Sequence, residues 1–138
     1  MDKWDKQKRS VVMSLIKSKN TKPEKILRSE LHKAGLRFRI HKKDLPGRPD
    51  IVFTSAKIVV FVHGCFWHLH KNCVDGRIPK SNIDYWKAKL FRNVERDKFN
   101  IAYLKNEKWR VMVVWECDLN KNIESVVQKI IKLIKRPA

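Results

Sequence analysis

Residues 50–62 read DIVFTSAKIVVFV, and this stretch sets the architecture of the chain. Two runs of β-branched and aromatic residues, DIVF and KIVVFV, are separated by the turn signal at 54–55. Such runs with a short polar break between them are typical of consecutive strands. A further run, LRFRI at 36–40, precedes them across the turn signal at 45–47. We therefore predict three strands arranged as a hairpin or meander.

A helix is predicted on the N-terminal side of these strands. Residues 21–35 read TKPEKILRSELHKAG, in which Thr21 and Glu24 form an S/T-x-x-E capping box and Gly35 ends the periodic pattern. The apolar face of this helix is predicted to consist of Ile26, Leu27, Leu31 and Ala34.

Two further helices and one strand are predicted on the C-terminal side. A helical region is expected over 84–106 with a kink near Asn93, followed by the strand WRVMVVW at 109–115. The amphipathic segment at 123–135 closes the chain as a helix. Its apolar side consists of Ile123, Val126, Val127, Ile130 and Ile134. The order helix, three strands, helix, strand, helix predicts an α/β fold with a mixed sheet and helices packed on it.

Length and charge bound the class of protein. A chain of 138 residues favours one domain spanning 1–138. Lys and Arg total 32 against 14 Asp and Glu, a formal net charge of +18, while 43% hydrophobic residues keep the chain in the globular range. Because such an excess of charge destabilises a compact chain unless a polyanion neutralises it, nucleic acid is the expected partner. Residues 1–20 are expected to form a basic arm or helix that contacts DNA.

A membrane surface is the rival polyanion, and the sequence argues against it. We find no long apolar run, no signal peptide and no lipidation motif. The three cysteines are an odd number, so they make a poor disulfide framework and suit reduced metal ligands better. We expect a soluble, cytoplasmic, nucleoid-associated protein of prokaryotic type.

Residues 60–73 read VFVHGCFWHLHKNC and concentrate side chains that bind metals. They contain two of the three cysteines and three of the five histidines. A tetrahedral zinc site could be completed by four side chains: Cys65, His70, Cys73 and Cys117. The spacing alone leaves buried free cysteines open as the alternative.

Several nearby residues are candidates for catalysis. Asp50 directly precedes a buried strand, where its carboxylate either binds a divalent cation or ends the preceding turn. His63 and His68 follow the strand that ends at 62, and such histidines either transfer protons and bind phosphate or are structural. Asp97 either orients a histidine or is a solvated helix charge.

Two large aromatic residues, Phe66 and Trp67, lie inside the metal-binding stretch without the periodicity of a core stripe. One interpretation is that they cover the zinc. The other joins them with Trp86, which lies on a basic helical region, as a wedge that enters stacked bases.

With these motifs in order, the chain resembles the very short patch repair (Vsr) DNA mismatch endonucleases. The resemblance runs from Lys8 to Leu119 and covers the blocks MSLIKSKNTKPE, LPGRPDIVF, FVHGCFWH, NVERD and WRVMVVWEC. It implies a restriction-endonuclease-like α/β core with a structural zinc loop. It also implies a Mg²⁺-dependent nick in one DNA strand, 5′ to the thymine of a T:G mismatch, that leaves a 5′-phosphate and a 3′-hydroxyl. Such mismatches arise when 5-methylcytosine deaminates, and the nick initiates very short patch repair.

The resemblance assigns the metal ligands. Asp50 and the backbone carbonyl of Val62 would hold Mg²⁺, and Glu24 would lie near that ion. The structural Zn²⁺ would be held by Cys65, His70, Cys73 and Cys117.

The resemblance also assigns the groups that act on DNA. His68 would be the general base, Asp97 the acid that orients it, and His63 the group that contacts the scissile phosphate. The remaining DNA contacts would come from a wedge of Phe66, Trp67 and Trp86 and from Met13, Lys89 and Asn93 around the mismatch.

The expected partner is double-stranded DNA containing a T:G mismatch, bound by a monomer, with mismatch-repair proteins as further partners. One alternative is a zinc-stabilised DNA-binding module without catalysis, and another is a related nickase of a restriction system with different specificity. A pure binding module has no reason to hold a carboxylate and two histidines at one strand end, so Asp50, His63 and His68 favour an enzyme.

Overall fold

The strands predicted at 50–62 form the centre of a four-stranded mixed sheet. The computed structural model describes residues 22–40, 42–71, 73 and 76–136. Its elements are α1 Lys22–Lys33, β1 Arg39–Ile40, β2 Ile51–Phe53, β3 Ile58–His63, α2 Ile83–Asn106, β4 Arg110–Trp115, α3 Glu116–Lys121 and α4 Ile123–Lys135. The predicted arm at 1–20, Met13 within it, and the Thr21 cap lie outside the described residues.

The strands are arranged in the order β1-β2-β3-β4. The first two pairings are antiparallel, and β3 pairs with β4 in parallel. A parallel pair needs a long crossover, and the connection between β3 and β4 supplies it with α2. The predicted three-stranded meander and the predicted α/β class with a mixed sheet are therefore confirmed.

Helices cover both faces of the sheet. Ile58 and Val60 of β3 belong to a core cluster that includes residues of α1 and α4, whereas Val59 and Phe61 pack with Leu104 of α2. Successive side chains of a strand point to opposite faces, so a strand covered on both sides is apolar along its whole length. This explains the uninterrupted apolar run in β3.

One edge of the sheet gathers the polar residues. The last residues of the parallel strands, His63 and Trp115, lie side by side in the register. Because β2 is antiparallel to β3, the start of β2 lies at this same edge, and Asp50 immediately precedes it. The topology thus brings together side chains that are far apart in sequence.

The apolar face predicted for α1 is partly wrong. Leu27 and Leu31 are fully buried, but Ile26 is 43% exposed and Ala34 is also exposed. The third buried residue is instead Glu24, three positions before Leu27 and therefore on the same helix face. The core side of α1 thus carries a carboxyl group.

Three other elements differ from the prediction. The first strand covers only 39–40, since Leu36 and Phe38 pack against the core outside the strand. α2 is one continuous helix from Ile83 to Asn106, one residue longer at its start than predicted, and the kink predicted near Asn93 stays a prediction. The six-residue helix α3 was not predicted, because it is too short to show a periodic pattern.

Candidate active site and metal centre

The loop after β3 supplies side chains to three neighbouring clusters. The backbone amide of His68 donates to the carbonyl of Gly64 at 3.2 Å, and that of His70 donates to the carbonyl of Cys65 at 3.0 Å. Leu69 between the two histidines has a φ of 47°, in the left-handed region. This tight turn lets two histidines only two residues apart join different clusters.

The histidine cluster consists of His63, His68 and Asp97. Nδ1 of His68 lies 2.5 Å from Oδ2 of Asp97, and the rings of His68 and His63 stack with centroids 3.9 Å apart and planes 6° apart. An ionised carboxylate only accepts hydrogen bonds, so Nδ1 of His68 donates and Nε2 is left to accept a proton. The arrangement suits a general base oriented by an acid.

His63 is the buried member of this cluster. Burial, and next the neighbouring His68, lowers the pKa of His63 from 6.5 to about 4. Its imidazole is therefore neutral at neutral pH. A neutral imidazole can still donate one hydrogen bond to a phosphate oxygen.

The carboxylate pair consists of Asp50 and Glu24. The backbone N–H of Val62 donates to Oδ2 of Asp50 at 2.6 Å, which places the carboxylate beside the end of β3. Burial, and next the hydrogen bond with the side chain of Glu24, raise the pKa of Asp50 from 3.8 to about 8. Glu24 is buried and Asp50 is partly buried. Two such carboxyl groups in contact resist a second negative charge, and a divalent cation would relieve that repulsion. The pair therefore fits such a cation.

The thiol cluster consists of Cys65, His70, Cys73 and Cys117, whose candidate ligand atoms all lie within 4.8 Å of one another. Nδ1 of His70 lies 3.3 Å from Sγ of Cys117 and 3.6 Å from Sγ of Cys65. Cys65, Cys73 and Cys117 form no disulfide. Gly76 closes the loop, since a Cβ there would lie 2.2 Å from the carbonyl oxygen of His70. Three sulfurs and one imidazole nitrogen fit a tetrahedral metal ion.

The raised pKa values of two of these thiols agree with a metal ion at the thiol cluster. Burial raises the pKa of Cys65 to about 12, and burial also raises the pKa of Cys117. Thiolates are therefore disfavoured unless a cation offsets their charge, which is what a metal ion bound to thiols does.

The aromatic cluster consists of Phe66, Trp67 and Trp86, with ring centroids 5.0 to 6.1 Å apart. Trp86 is only 3% exposed, whereas Phe66 and Trp67 are partly exposed. Nζ of Lys89 lies 5.7 Å from the centroid of the Trp67 ring, and Nδ2 of Asn93 donates to the carbonyl of Trp67 at 3.3 Å. The buried Trp86 ring therefore packs against both of the partly exposed rings, Phe66 and Trp67.

Comparison with known proteins identifies the family. Residues 1–75 match the family model described as DNA mismatch endonuclease Vsr. The chain is 44% identical over 118 residues to the DNA mismatch endonuclease Vsr of Escherichia coli, covering 86% of this chain and 75% of that protein. The chain belongs to the Vsr family. It is also 53% identical over 119 residues to the Type II nicking enzyme V.XorIIP of Xanthomonas oryzae pv. oryzae, with 86% and 87% of the two chains covered.

Membership of the Vsr family implies a DNA endonuclease, a hydrolase of DNA repair, and suggests the use of a divalent metal. The predicted resemblance is thus confirmed. Among the helices that the structure describes, each is too short or too polar to cross a lipid bilayer.

Met13 lies outside the described residues, and the structure brings the other predicted site residues together in the groups in which they were predicted. His68 joins Asp97 and His63, while His70 joins the cysteines. Their chemical roles remain predictions.

Sequence reasoning missed the contacts of Trp115. Its ring stacks on His70 with centroids 4.1 Å apart and lies 5.2 Å from the centroid of His63. The signal available in the sequence was its place at the end of a predicted strand, immediately before Glu116 and the candidate ligand Cys117.

Proposed function

We propose that this Vsr protein nicks one strand of duplex DNA on the 5′ side of the thymine in a T:G mismatch, leaving a 5′-phosphate and a 3′-hydroxyl. The observation that carries the proposal is the histidine cluster at the sheet edge, where Asp97 orients His68 and His63 stacks on it. A phosphodiester hydrolase needs a base with a free nitrogen, a phosphate contact and an acidic metal site. The residues that we assign to these three tasks lie around the end of β3.

His68 acts as the general base. With Nδ1 engaged by Asp97, Nε2 is the atom that takes the proton of the attacking water. The imidazolium that forms is stabilised by the adjacent carboxylate, as in other acid–histidine pairs.

His63 acts as a phosphate contact. Its low pKa makes it a neutral hydrogen-bond donor in the free protein. The negative charge of an arriving phosphate favours the protonated form, so the same ring can then assist the leaving 3′ oxygen.

The two metal sites have separate tasks. When held by Asp50 and the backbone carbonyl of Val62, with Glu24 nearby, Mg²⁺ would stabilise the charge of the reacting phosphate. Zn²⁺ in the thiol cluster would fix the loop that carries His68 and Trp67. The raised pKa of Asp50 and of the thiols supports both assignments.

Binding and selection of DNA are assigned to different residues. The many Lys and Arg residues neutralise phosphates and make binding dependent on salt. Phe66 and Trp67 enter the base stack at the mismatch, supported by Trp86, while Lys89, Asn93 and Met13 contact the bases around it. A mismatched pair is easier to unstack than a regular pair, so the wedge favours T:G.

Substitution of the metal-site acid tests the proposal. Asp50→Asn should lower the rate of nicking of a T:G duplex by about 10³-fold or more. The neutral amide would bind Mg²⁺ more weakly than the carboxylate, and the charge of the reacting phosphate would then be less well stabilised. Binding of the same duplex, followed by fluorescence anisotropy, should be retained. The matched control is Asp44→Asn, because Asp44 is an exposed acid of the preceding loop that pairs with Lys42 at 2.9 Å. Nicking by Asp50→Asn at the rate of the control would refute the metal assignment.

A second candidate is a nickase with a different target, tied to a restriction system. It is favoured by the relatives from Xanthomonas oryzae and Neisseria meningitidis, which are named Type II nicking enzymes. Duplexes that carry each mismatch in varied flanking sequences separate the candidates. Preferential nicking at T:G supports the first, and preference for another mismatch or for a fully paired site supports the second.

A further inference from the structure

Trp115 lies between the histidine cluster and the thiol cluster. It is the last residue of β4 and is paired with His63 of β3 in the parallel register. Its ring stacks on His70, with centroids 4.1 Å apart and planes 10° apart. The same ring meets His63 edge-on, with centroids 5.2 Å apart and planes at 74°.

These contacts extend into a continuous row of four rings. Because His63 also stacks on His68 at 3.9 Å, the row runs from His68 through His63 and Trp115 to His70. Packed aromatic rings prefer stacked or edge-to-face arrangements, and both occur here. The row joins the candidate general base to a candidate zinc ligand without an intervening main chain.

The two histidines of the histidine cluster are held by different means. The His68 ring is fixed by its hydrogen bond to Asp97. The His63 ring has ring contacts and no side-chain hydrogen bond to any of the residues that the structure describes. Its orientation therefore depends on its neighbours Phe61, His68 and Trp115. Trp115 is the neighbour that also touches the thiol cluster.

The same dependence holds on the zinc side. His70 lies on the short loop that Leu69 reverses, and Trp115 covers one face of its ring. A ligand imidazole must keep its plane to direct a nitrogen at the metal, and neighbouring groups normally fix that plane. Trp115 is placed to fix the plane of His70 and to support His63 at the same time.

We propose that Trp115 is a positioning residue that couples zinc binding at the thiol cluster to the orientation of the histidine pair. The inference rests on the proposed roles of the two clusters. Zinc binding fixes His70, the fixed His70 holds the Trp115 ring, and that ring holds His63 against His68. Loss of the Trp115 ring should therefore weaken zinc retention and slow nicking together.

The test compares three variants with the wild-type protein loaded with zinc. Trp115→Leu removes the ring, Trp115→Phe keeps a smaller ring, and Trp109→Leu removes a tryptophan at the opposite end of β4, where it contacts Lys57. Two quantities are measured: the rate of zinc release to a chromophoric chelator, and the single-turnover nicking rate of a T:G duplex with zinc and Mg²⁺ in excess.

We expect Trp115→Leu to release zinc about tenfold faster and to nick about tenfold more slowly, with the DNA dissociation constant unchanged, because orientation and not binding is lost. Trp115→Phe should fall between Trp115→Leu and wild type in both measurements. Trp109→Leu should match wild type. If Trp115→Leu fails to fold, the Trp115→Phe variant alone still decides, since both rates must move in the stated directions.

Two results would overturn the inference. One is a normal nicking rate in a Trp115 variant that releases zinc rapidly, and the other is slow nicking with normal zinc release. Failure of the wild-type protein to nick T:G duplexes would instead count against the proposed function, and the zinc measurement would remain interpretable without it.

Discussion

Charged side chains at the two ends of the β3–β4 pair have opposite surroundings. At the start of β4, the guanidinium of Arg110 donates to the carbonyls of Leu133 at 2.9 Å, Arg136 at 2.8 Å and Ala56 at 3.2 Å. At the other end, Asp50 is a partly buried acid whose neighbour Glu24 is a buried acid. Main-chain carbonyls accept hydrogen bonds from the guanidinium of Arg110 at one end. At the other end, the neighbouring carboxyl group of Glu24 disfavours a negative charge on Asp50.

The difference separates stability from function. Arg110 donates hydrogen bonds to carbonyls at the C-terminal end of α4 and in the β2–β3 turn, so it joins α4 to the sheet. Its Nε is the one buried side-chain nitrogen or oxygen atom without a hydrogen-bond partner among the described residues. Burial and the neighbouring Glu24 instead raise the pKa of Asp50, so its ionised form is disfavoured. Perturbed groups of this kind are expected where a ligand completes the site.

Of three further effects that compare the two ends, the largest is expected from Asp97→Asn at the end that carries the histidine cluster. An amide can present the wrong group to Nδ1 of His68, so Nε2 is no longer held ready to accept a proton. The nicking rate should fall by about 10²- to 10⁴-fold, measured in single turnover on a T:G duplex. Glu95→Gln on the same helix is the control, because Glu95 is exposed. A comparable loss of nicking rate in both variants would mean that the rate depends on the negative charge of the helix and not on the contact between Asp97 and His68.

The next effect is expected at the structural end. Arg110→Leu should lower the free energy of unfolding by about 3 kcal/mol, because hydrogen bonds from a charged group to three carbonyls are lost. Denaturant unfolding followed by circular dichroism measures this.

The control for this variant is Arg136→Leu, which removes the same charge from an exposed side chain at the end of α4. Below the unfolding transition, nicking per folded Arg110→Leu molecule should equal that of wild type. A specific loss of nicking would show that the two ends are not independent.

A third expected effect is a pH dependence of stability. The pKa of Asp50 is 3.8 in an ordinary environment and about 8 in the fold. Between these values the folded state keeps a proton that the unfolded state has lost, so metal-free protein should lose stability as pH rises from about 4 to 8. The lowered pKa of His63 acts in the opposite sense between about 4 and 6.5.

Asp50→Asn isolates the first contribution. Subtracting the unfolding free energy of the variant from that of wild type at each pH removes the part due to His63. The difference should fall as pH rises, and Mg²⁺ should restore it at high pH because the ion binds only the folded state. A difference that is flat across this range would show that Asp50 ionises normally in the fold.

The sequence predicted the elements better than their contacts. Uninterrupted apolar runs identified β2 and β3, and the amphipathic pattern identified α4, because burial on a covered sheet or helix face dictates those residues. Ile26 was misplaced because a pattern of apolar residues does not reveal which side of a helix packs on the sheet. Glu24 is buried because it lies on the same helix face as Leu27 and Leu31.

The candidate site shows the same limit. Residue types and spacing indicated the members of the histidine and thiol clusters, whereas the stacked rings of His63 and His68 and the position of Trp115 depend on the parallel register of β3 and β4. No single stretch of sequence carries that register. The burial of Trp86 was likewise invisible, since an aromatic residue on a basic helix can face either way.

The loop after β3 has a consequence for how this segment can vary over evolution. Residues close together in the segment 63–70 belong to different clusters. His63 and His68 belong to the histidine cluster, Cys65 and His70 to the thiol cluster, and Trp67 to the aromatic cluster. A substitution at one position damages one cluster, but a deletion of one residue would reassign every later side chain. The length of this segment is therefore under stronger constraint than the identity of most residues in it.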